Sequence, residues 1–233
     1  MNDLVKVILP SCSTERLPML IRTCGTVMAQ THQRTKPLVV ADGNVEIFNA
    51  IRNLDLCALF NETRRDWIYS INRVVATVPS DFYVYASDDL IFDPDCIKNA
   101  MAVMRNKFPD GDGVVSIRQI LEREKGCSTA FGMFGTKFAD RFPNRAVFCP
   151  DYVHYYSDAE LGRVAAALNR LAHCENATVK HSRPRDETWR LAHTVLNRDK
   201  TVRQDRRKRG FEWGLDFELM SKSPKTHVDH AKP

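Results

Sequence analysis

Two adjacent carboxylates, Asp88 and Asp89, end an apolar, aromatic run, Phe82-Tyr-Val-Tyr-Ala86, and are followed at once by Leu90-Ile-Phe92. Clamping ionised carboxylates between apolar segments is costly unless something pairs with them. The run before them is short, β-branched and aromatic, bounded by Pro79-Ser80, and reads as a buried strand. The carboxyl end of such a strand is where open α/β sheets bind ligands. Two carboxylates there point to a hard divalent cation and a phosphate-bearing substrate. The plainer alternative is that one of them caps the next turn.

The elements that must position this pair can be read on either side. Leu4 to Leu9 forms a first strand, closed by Pro10-Ser11-Cys12-Ser13. Leu17, Leu20, Ile21, Cys24, Val27 and Met28 then recur at helical spacing. Pro37 to Ala41 forms a second strand that stops at Asp42-Gly43-Asn44, a turn signal. A helix is predicted from Arg65 to Val78. Asp93-Pro94 reads as the start of another, continued by Ile97, Met101, Met104 and Phe108. Val114 to Gln119 resumes as strand, and residues 122–150 are irregular. Ala159 to Ala172 reads as a helix that buries Leu161, Val164, Leu168 and Leu171. Ala177 to His181 looks like a last short strand. Alternating strands and helices indicate a parallel sheet covered by helices.

Composition sets the outer bounds. The chain has 233 residues, 43% hydrophobic and 27% charged, enough for one full core. No segment approaches the ~20 apolar residues of a membrane span. The chain opens on a strand-like segment with no secretory leader ahead of it. Its seven cysteines are scattered and never form CxxC, which argues against a disulfide framework or zinc site and for a reducing cytoplasm.

The polar residues that end the strands, Ser11-Cys12-Ser13, Asp42-Gly43 and Asp88-Asp89, fall on one edge of a parallel sheet. In this order they resemble the family 2 glycosyltransferases with the GT-A nucleotide-sugar-binding fold, over residues 4–185. The resemblance implies a single Rossmann-like GT-A domain over residues 1–210 and a loosely ordered tail over 211–233. It implies that Pro10, Ser11 and Ser13 form the turn after the first strand beside the nucleotide. Asp42 would contact the uracil or ribose side, and Asn72 would match an asparagine of the third helix. The family's metal carboxylates are often spaced as DxD, whereas this chain has a compact pair. Asp89 is then the ligand of Mn²⁺ or Mg²⁺, and Asp88 the nucleotide or sugar contact. His181, after the last helix of the motif order, matches a metal-binding histidine.

Inverting members need a base for the acceptor hydroxyl, placed where a helix opens. That place is Asp158, although Ser157 stands where a glutamate is expected. A competing reading is structural: Ser157-x-x-Glu160 has the pattern of a capping box, with Asp158 favoured by the helix dipole. Tyr152, His154, Tyr155 and Tyr156 are candidates for the acceptor pocket. His173, His193, His227 and His230 have no such context and read as solvated.

The net charge of +5 is uneven: residues 183–209 hold ten Lys/Arg against four Asp/Glu. Such a segment is a solvated helix face or a site for a polyanion, DNA or a diphosphate. The reading that combines these features is a cytoplasmic, metal-dependent glycosyltransferase using a nucleotide sugar, UDP-linked, with hydroxylated bases of DNA or a carbohydrate among the acceptors left open and no membrane insertion. A nucleotidyltransferase, or a non-catalytic nucleic-acid-binding protein on the same fold, are the alternatives.

Overall fold

The computed structural model describes residues 3–120, 129–182 and 184–211. Alternate residues of the first strand, β1 (Val5–Ser11), enter two different cores. Val5, Val7 and Leu9 join one; Ile8 joins the other. A strand covered on both faces belongs at the centre of a sheet, and β1 pairs in parallel with two neighbours.

One neighbour is β2 (Thr35–Asp42), reached through α1 (Leu17–Met28). Next come α2 (Val45–Asn53) and the edge strand β3 (Ala58–Asn61). The other neighbour, β4 (Phe82–Tyr85), is reached through α3 (Asp66–Thr77). Beyond it lie β5 (Leu90–Phe92), α4 (Cys96–Lys107), β6 (Val114–Ile120), β7 (Gly132–Gly135) and the short α5 (Thr136–Ala139). The chain continues through α6 (Ser157–Ala167), β8 (Leu171–His181), α7 (Glu187–Thr194) and α8 (Leu196–Lys208).

The eight strands form one sheet in the order β3-β2-β1-β4-β7-β6-β8-β5. The first four run parallel, β7 is antiparallel to both its neighbours, and β8 is parallel to β6 but antiparallel to β5. Helices α1, α2 and α4 cover one face, and α3 and α6 the other. The expected α/β class, with a mostly parallel sheet flanked by helices, is therefore what the chain adopts. Because α1 leads from β1 to β2 over one face and α3 leads from β3 back past β1 to β4 over the other, the carboxyl ends of β1, β2 and β4 face a common crevice.

Several boundaries differ from the sequence reading. The helix expected to run to Ala172 stops at Ala167; Asn169 turns the chain with φ 56°, and Leu171 opens β8. An apolar residue every three or four positions continued across the turn, but from Leu171 onward it marks a strand. β8 is correspondingly eleven residues long, far longer than the expected 177–181. Helix α4 starts at Cys96, with Asp95 rather than Asp93 at its cap position. Helix α2 and strand β3 escaped the reading because both are short. The expected tail, 211–233, lies outside the described residues from position 212 onward. No helix among the described residues is long and apolar enough to cross a membrane.

Candidate active site

Asp88 and Asp89 sit in the turn between β4 and β5, each 3% exposed. The turn is tied to α1 by the Thr23 hydroxyl, which donates to the carbonyls of Asp88 (3.0 Å) and Leu90 (2.8 Å). Asp88 accepts from Ser11 Oγ at 2.6 Å and from Arg16 Nη1 at 2.9 Å. Burial nevertheless pushes its carboxyl up to about 6, against the pull of Arg16. Asp89 accepts from Ser87 Oγ at 2.6 Å and lies 3.1 Å from His181 Nε2. Burial raises this carboxyl too, but His181, Ser87 and Arg16 outweigh it and hold Asp89 below its ordinary value. The two neighbours are thus electrostatically unlike, one carboxyl raised by burial and the other lowered by its partners.

β8 delivers His181 to this pair because it runs antiparallel to β5, with Leu90 opposite His181. Gln119 of β6 sets the ring from behind, its amide 2.9 Å from Nδ1. Phe131 packs edge-on at 5.2 Å.

Two contiguous cavities meet at the carboxylates. The smaller, about 80 Å³, is bounded by Pro10, Ser11, Asp42, Arg64 and Asp88. The larger, about 450 Å³, is bounded by Asp89, His181, Asp158, Tyr155, Tyr156 and Trp189, among others. Asp42 shapes the smaller one: its carboxylate accepts the Arg65 and Asp66 backbone N–H groups and the Asn61 amide, at 2.7 to 3.1 Å. Gly43 lets that loop approach, since its φ is +70° and a Cβ there would stand 2.6 Å from the Arg64 nitrogen.

Asp158 lies in the first turn of α6. The capping box is not formed. Tyr156, with φ 69°, is the cap residue and makes no side-chain cap bond; Glu160 turns away to Tyr152 and Arg206. Ser157 Oγ, beside the larger cavity, is buried with no hydrogen-bond partner among the described residues. Burial raises Asp158 above its ordinary value, with backbone N–H groups of the helix turn and then Arg203 pulling the other way.

No protein-family model and no curated protein sequence matches the chain. Solved structures do. A mannosyltransferase from Pyrobaculum calidifontis, PcManGT, in complex with GDP-Man and Mn²⁺, superposes with a TM-score of 0.59 at 17% identity, over 86% of this chain and 64% of that one. S. aureus TarS 1-349 gives 0.56 at 16% identity, over 76% of this chain and 60% of that one, with the same figures for its complex with UDP. The chain has a GT-A glycosyltransferase fold. It spans less than two thirds of the length of these neighbours, so the likeness is one of fold.

Within the GT-A fold the expected residues divide. Pro10, Ser11, Asp42 and Asp88 bound the smaller cavity; Asp89, Asp158 and His181 bound the larger. Ser13 borders neither, and its carbonyl accepts the Arg16 N–H at 3.0 Å. Asn72 is also elsewhere: its amide exchanges two hydrogen bonds with the Phe148 backbone, at 2.7 and 3.1 Å, and pins that loop. His154, Tyr155 and Tyr156 reach the cavity as expected, whereas Tyr152 is buried in the core and donates to Glu160 at 2.7 Å.

His193 is exposed, as expected, and it also borders the larger cavity, 3.9 Å from the Trp189 ring and 2.9 Å from the Tyr155 hydroxyl. Arg183, His227 and His230 lie outside the described residues. Arg16 and Trp67 border both cavities, and the sequence reading missed both. A lone arginine in Thr14-Glu15-Arg16 carries no motif; only its burial reveals it.

Asp89 and His181 offer a carboxylate and an imidazole as a donor pair to a divalent cation. Asp89 Oδ1 and His181 Nε2 are 3.1 Å apart, close to the ~3 Å between adjacent ligands of an octahedral ion. Among the described residues no group of three His, Cys, Asp or Glu side chains is gathered as a metal cage. An ion held by one or two protein ligands completes its shell with phosphate and water, which is how Mg²⁺ is ordinarily bound beside phosphates.

Proposed function

We propose that the protein is a metal-dependent glycosyltransferase, transferring a sugar from a nucleotide sugar, UDP-linked, to an acceptor hydroxyl with inversion. The observation that carries this reading is the meeting of two cavities at Asp88-Asp89, with Asp158 bordering the larger. The nucleoside lies on the Asp42 side, toward the smaller cavity, and the sugar in the larger, so the diphosphate crosses the carboxylates between them.

Three carboxylates, Asp88, Asp89 and Asp186, surround the single guanidinium of Arg16. That excess of negative charge would repel a diphosphate, and Mn²⁺ or Mg²⁺ held by Asp89 and His181 would offset it and the charge of the leaving group. Asp158 accepts the acceptor's proton as the new C–O bond forms. The sugar–phosphate bond breaks with its electron pair leaving on the nucleoside diphosphate. Trp67, fixed by its indole N–H donating to the Ala86 carbonyl at 2.8 Å, walls the site. The six described cysteines are all free thiols, which fits a cytoplasmic setting.

UDP with Mn²⁺ is expected to raise the melting temperature, since a ligand of the native state alone stabilises by mass action. Asp89→Ala should lose the Mn²⁺-dependent part of that rise while remaining folded. A shift equal to the parent's would remove Asp89 from the metal site. Release of UDP from UDP-sugars tests the activity itself.

The acceptor is a hydroxylated base of DNA or a carbohydrate, and the basic C-terminal segment favours DNA. Four of its cations, Arg198, Lys200, Arg207 and Lys208, are exposed on α8, and Arg203 lies 4.8 Å over the ring of Tyr156, which borders the cavity. Arg206 does not belong to that face: it is 5% exposed and committed to Glu160 and Asp151. Reversing Lys200, Arg207 and Arg209 to Glu should therefore flatten the dependence of log affinity on log salt, by about 0.9 for each phosphate no longer neutralised. The UDP-dependent melting shift should not change. Superimposable salt slopes would return the acceptor to a carbohydrate or small molecule.

A further inference from the structure

We propose that Arg16 is a diphosphate-binding group of the donor site, aimed by Asp186; this rests on the nucleotide-sugar reading above. Six residues border both cavities: Arg16, Trp67, Ser87, His154, Thr188 and Ala192. A ligand that spans the two cavities must pass them. Arg16 alone among the six carries a permanent positive charge, and burial holds His154 below its ordinary value, toward the neutral form.

The guanidinium is held in one orientation. Its Nε and Nη2 fork onto the Asp186 carboxylate at 2.7 and 2.9 Å, and Nη1 donates to Asp88 at 2.9 Å. A guanidinium has five N–H donors. Three are used, which leaves one on Nη1 and one on Nη2 without a partner among the described residues. Neutralising Asp88 needs only a cation, and a lysine would serve. The two-bonded fork does more, because it fixes the plane in which the remaining donors lie. Asp186 is itself rigidly placed, as the cap of α7, where it accepts the Trp189 N–H at 2.9 Å. Arg16 therefore joins the donor carboxylates of the sheet edge to α7, whose Thr188, Trp189, Ala192 and His193 wall the larger cavity. Asp186 is a positioning residue in this arrangement and touches no ligand.

The test is titration of UDP and of uridine, each with Mn²⁺, into the full chain and into its Arg16→Lys and Asp186→Asn variants. Arg16→Lys keeps the charge but loses the fork. It should weaken UDP by about tenfold to a hundredfold, the scale of a charged hydrogen bond, and leave uridine unchanged. Asp186→Asn should shift UDP in the same direction by less, since it loses the two-bonded fork that aims Arg16 but also removes one of the repelling carboxylates, and it should again spare uridine. Equal losses for both ligands would make Arg16 a structural ion pair, and no loss in either variant would remove it from the site; both outcomes overturn the proposal. Should Arg16→Lys fail to fold, Asp186→Asn decides, since it retains the guanidinium. A parent protein that binds neither ligand would defeat the donor reading, and this inference with it.

Discussion

Asp158→Asn is expected to leave UDP binding intact while sugar transfer falls by about two to four orders of magnitude, the scale of a lost general base. The substitution is nearly isosteric, the cap position of α6 is Tyr156, and an asparagine side-chain oxygen can still accept the helix-turn N–H groups that Asp158 meets. Helix α6 is held instead by Leu161, Val164 and Ala165 in the core and by the Glu160 network. Loss of activity without loss of stability is therefore the expected pattern. The pH profile supplies a second check. A base must be ionised to accept a proton, so activity falls as pH drops through its pKa. Burial sets that pKa above the ordinary aspartate value, and the acid limb of the parent's profile should lie correspondingly higher. Near-normal turnover in Asp158→Asn, with an unchanged acid limb, would exclude it as the base.

Arg206→Ala is expected to lower stability by about 3–5 kcal/mol, the usual result of breaking a buried ion pair from one side. Arg206 meets Glu160 at 2.5, 2.9 and 3.0 Å, and Glu160 is only 4% exposed, so truncation strands a buried carboxylate. The helix that carries Arg206 also carries Asp199, fully buried, which accepts the N–H groups of Val153, His154 and Tyr155 at 2.8 to 3.3 Å. Loosening α8 should therefore disturb the wall of the larger cavity as well. Urea unfolding at constant slope measures the first effect, and adding Glu160→Gln should recover part of it by removing the stranded charge. A loss below about 1 kcal/mol would class the pair with exposed salt bridges.

The sequence alone determined the strands that end in polar residues, their order, and hence the crevice where Ser11, Asp42 and Asp88-Asp89 meet. Those features are local: an apolar run and its stop can be read without knowing what lies opposite. Asp158 and His181 were legible only through their place in a motif order, and Ser13 and Asn72 show the limit of that guide. Their types and positions fit, yet neither borders a cavity, because Asn72 spends its amide on a loop 76 residues away and the turn at Ser13 offers only its carbonyl, to the Arg16 N–H.

Tertiary structure decided the rest. Arg16 and Asp186 are 170 positions apart, and no window of sequence records that one will fork onto the other. The same is true of the basic C-terminal segment. Counting charges treats Arg206 like Arg207, while folding buries the first against Glu160 and leaves the second in water. A charge has the same sign wherever it lies, but its effect depends on the dielectric around it and on the partner that long-range packing brings within hydrogen-bonding distance.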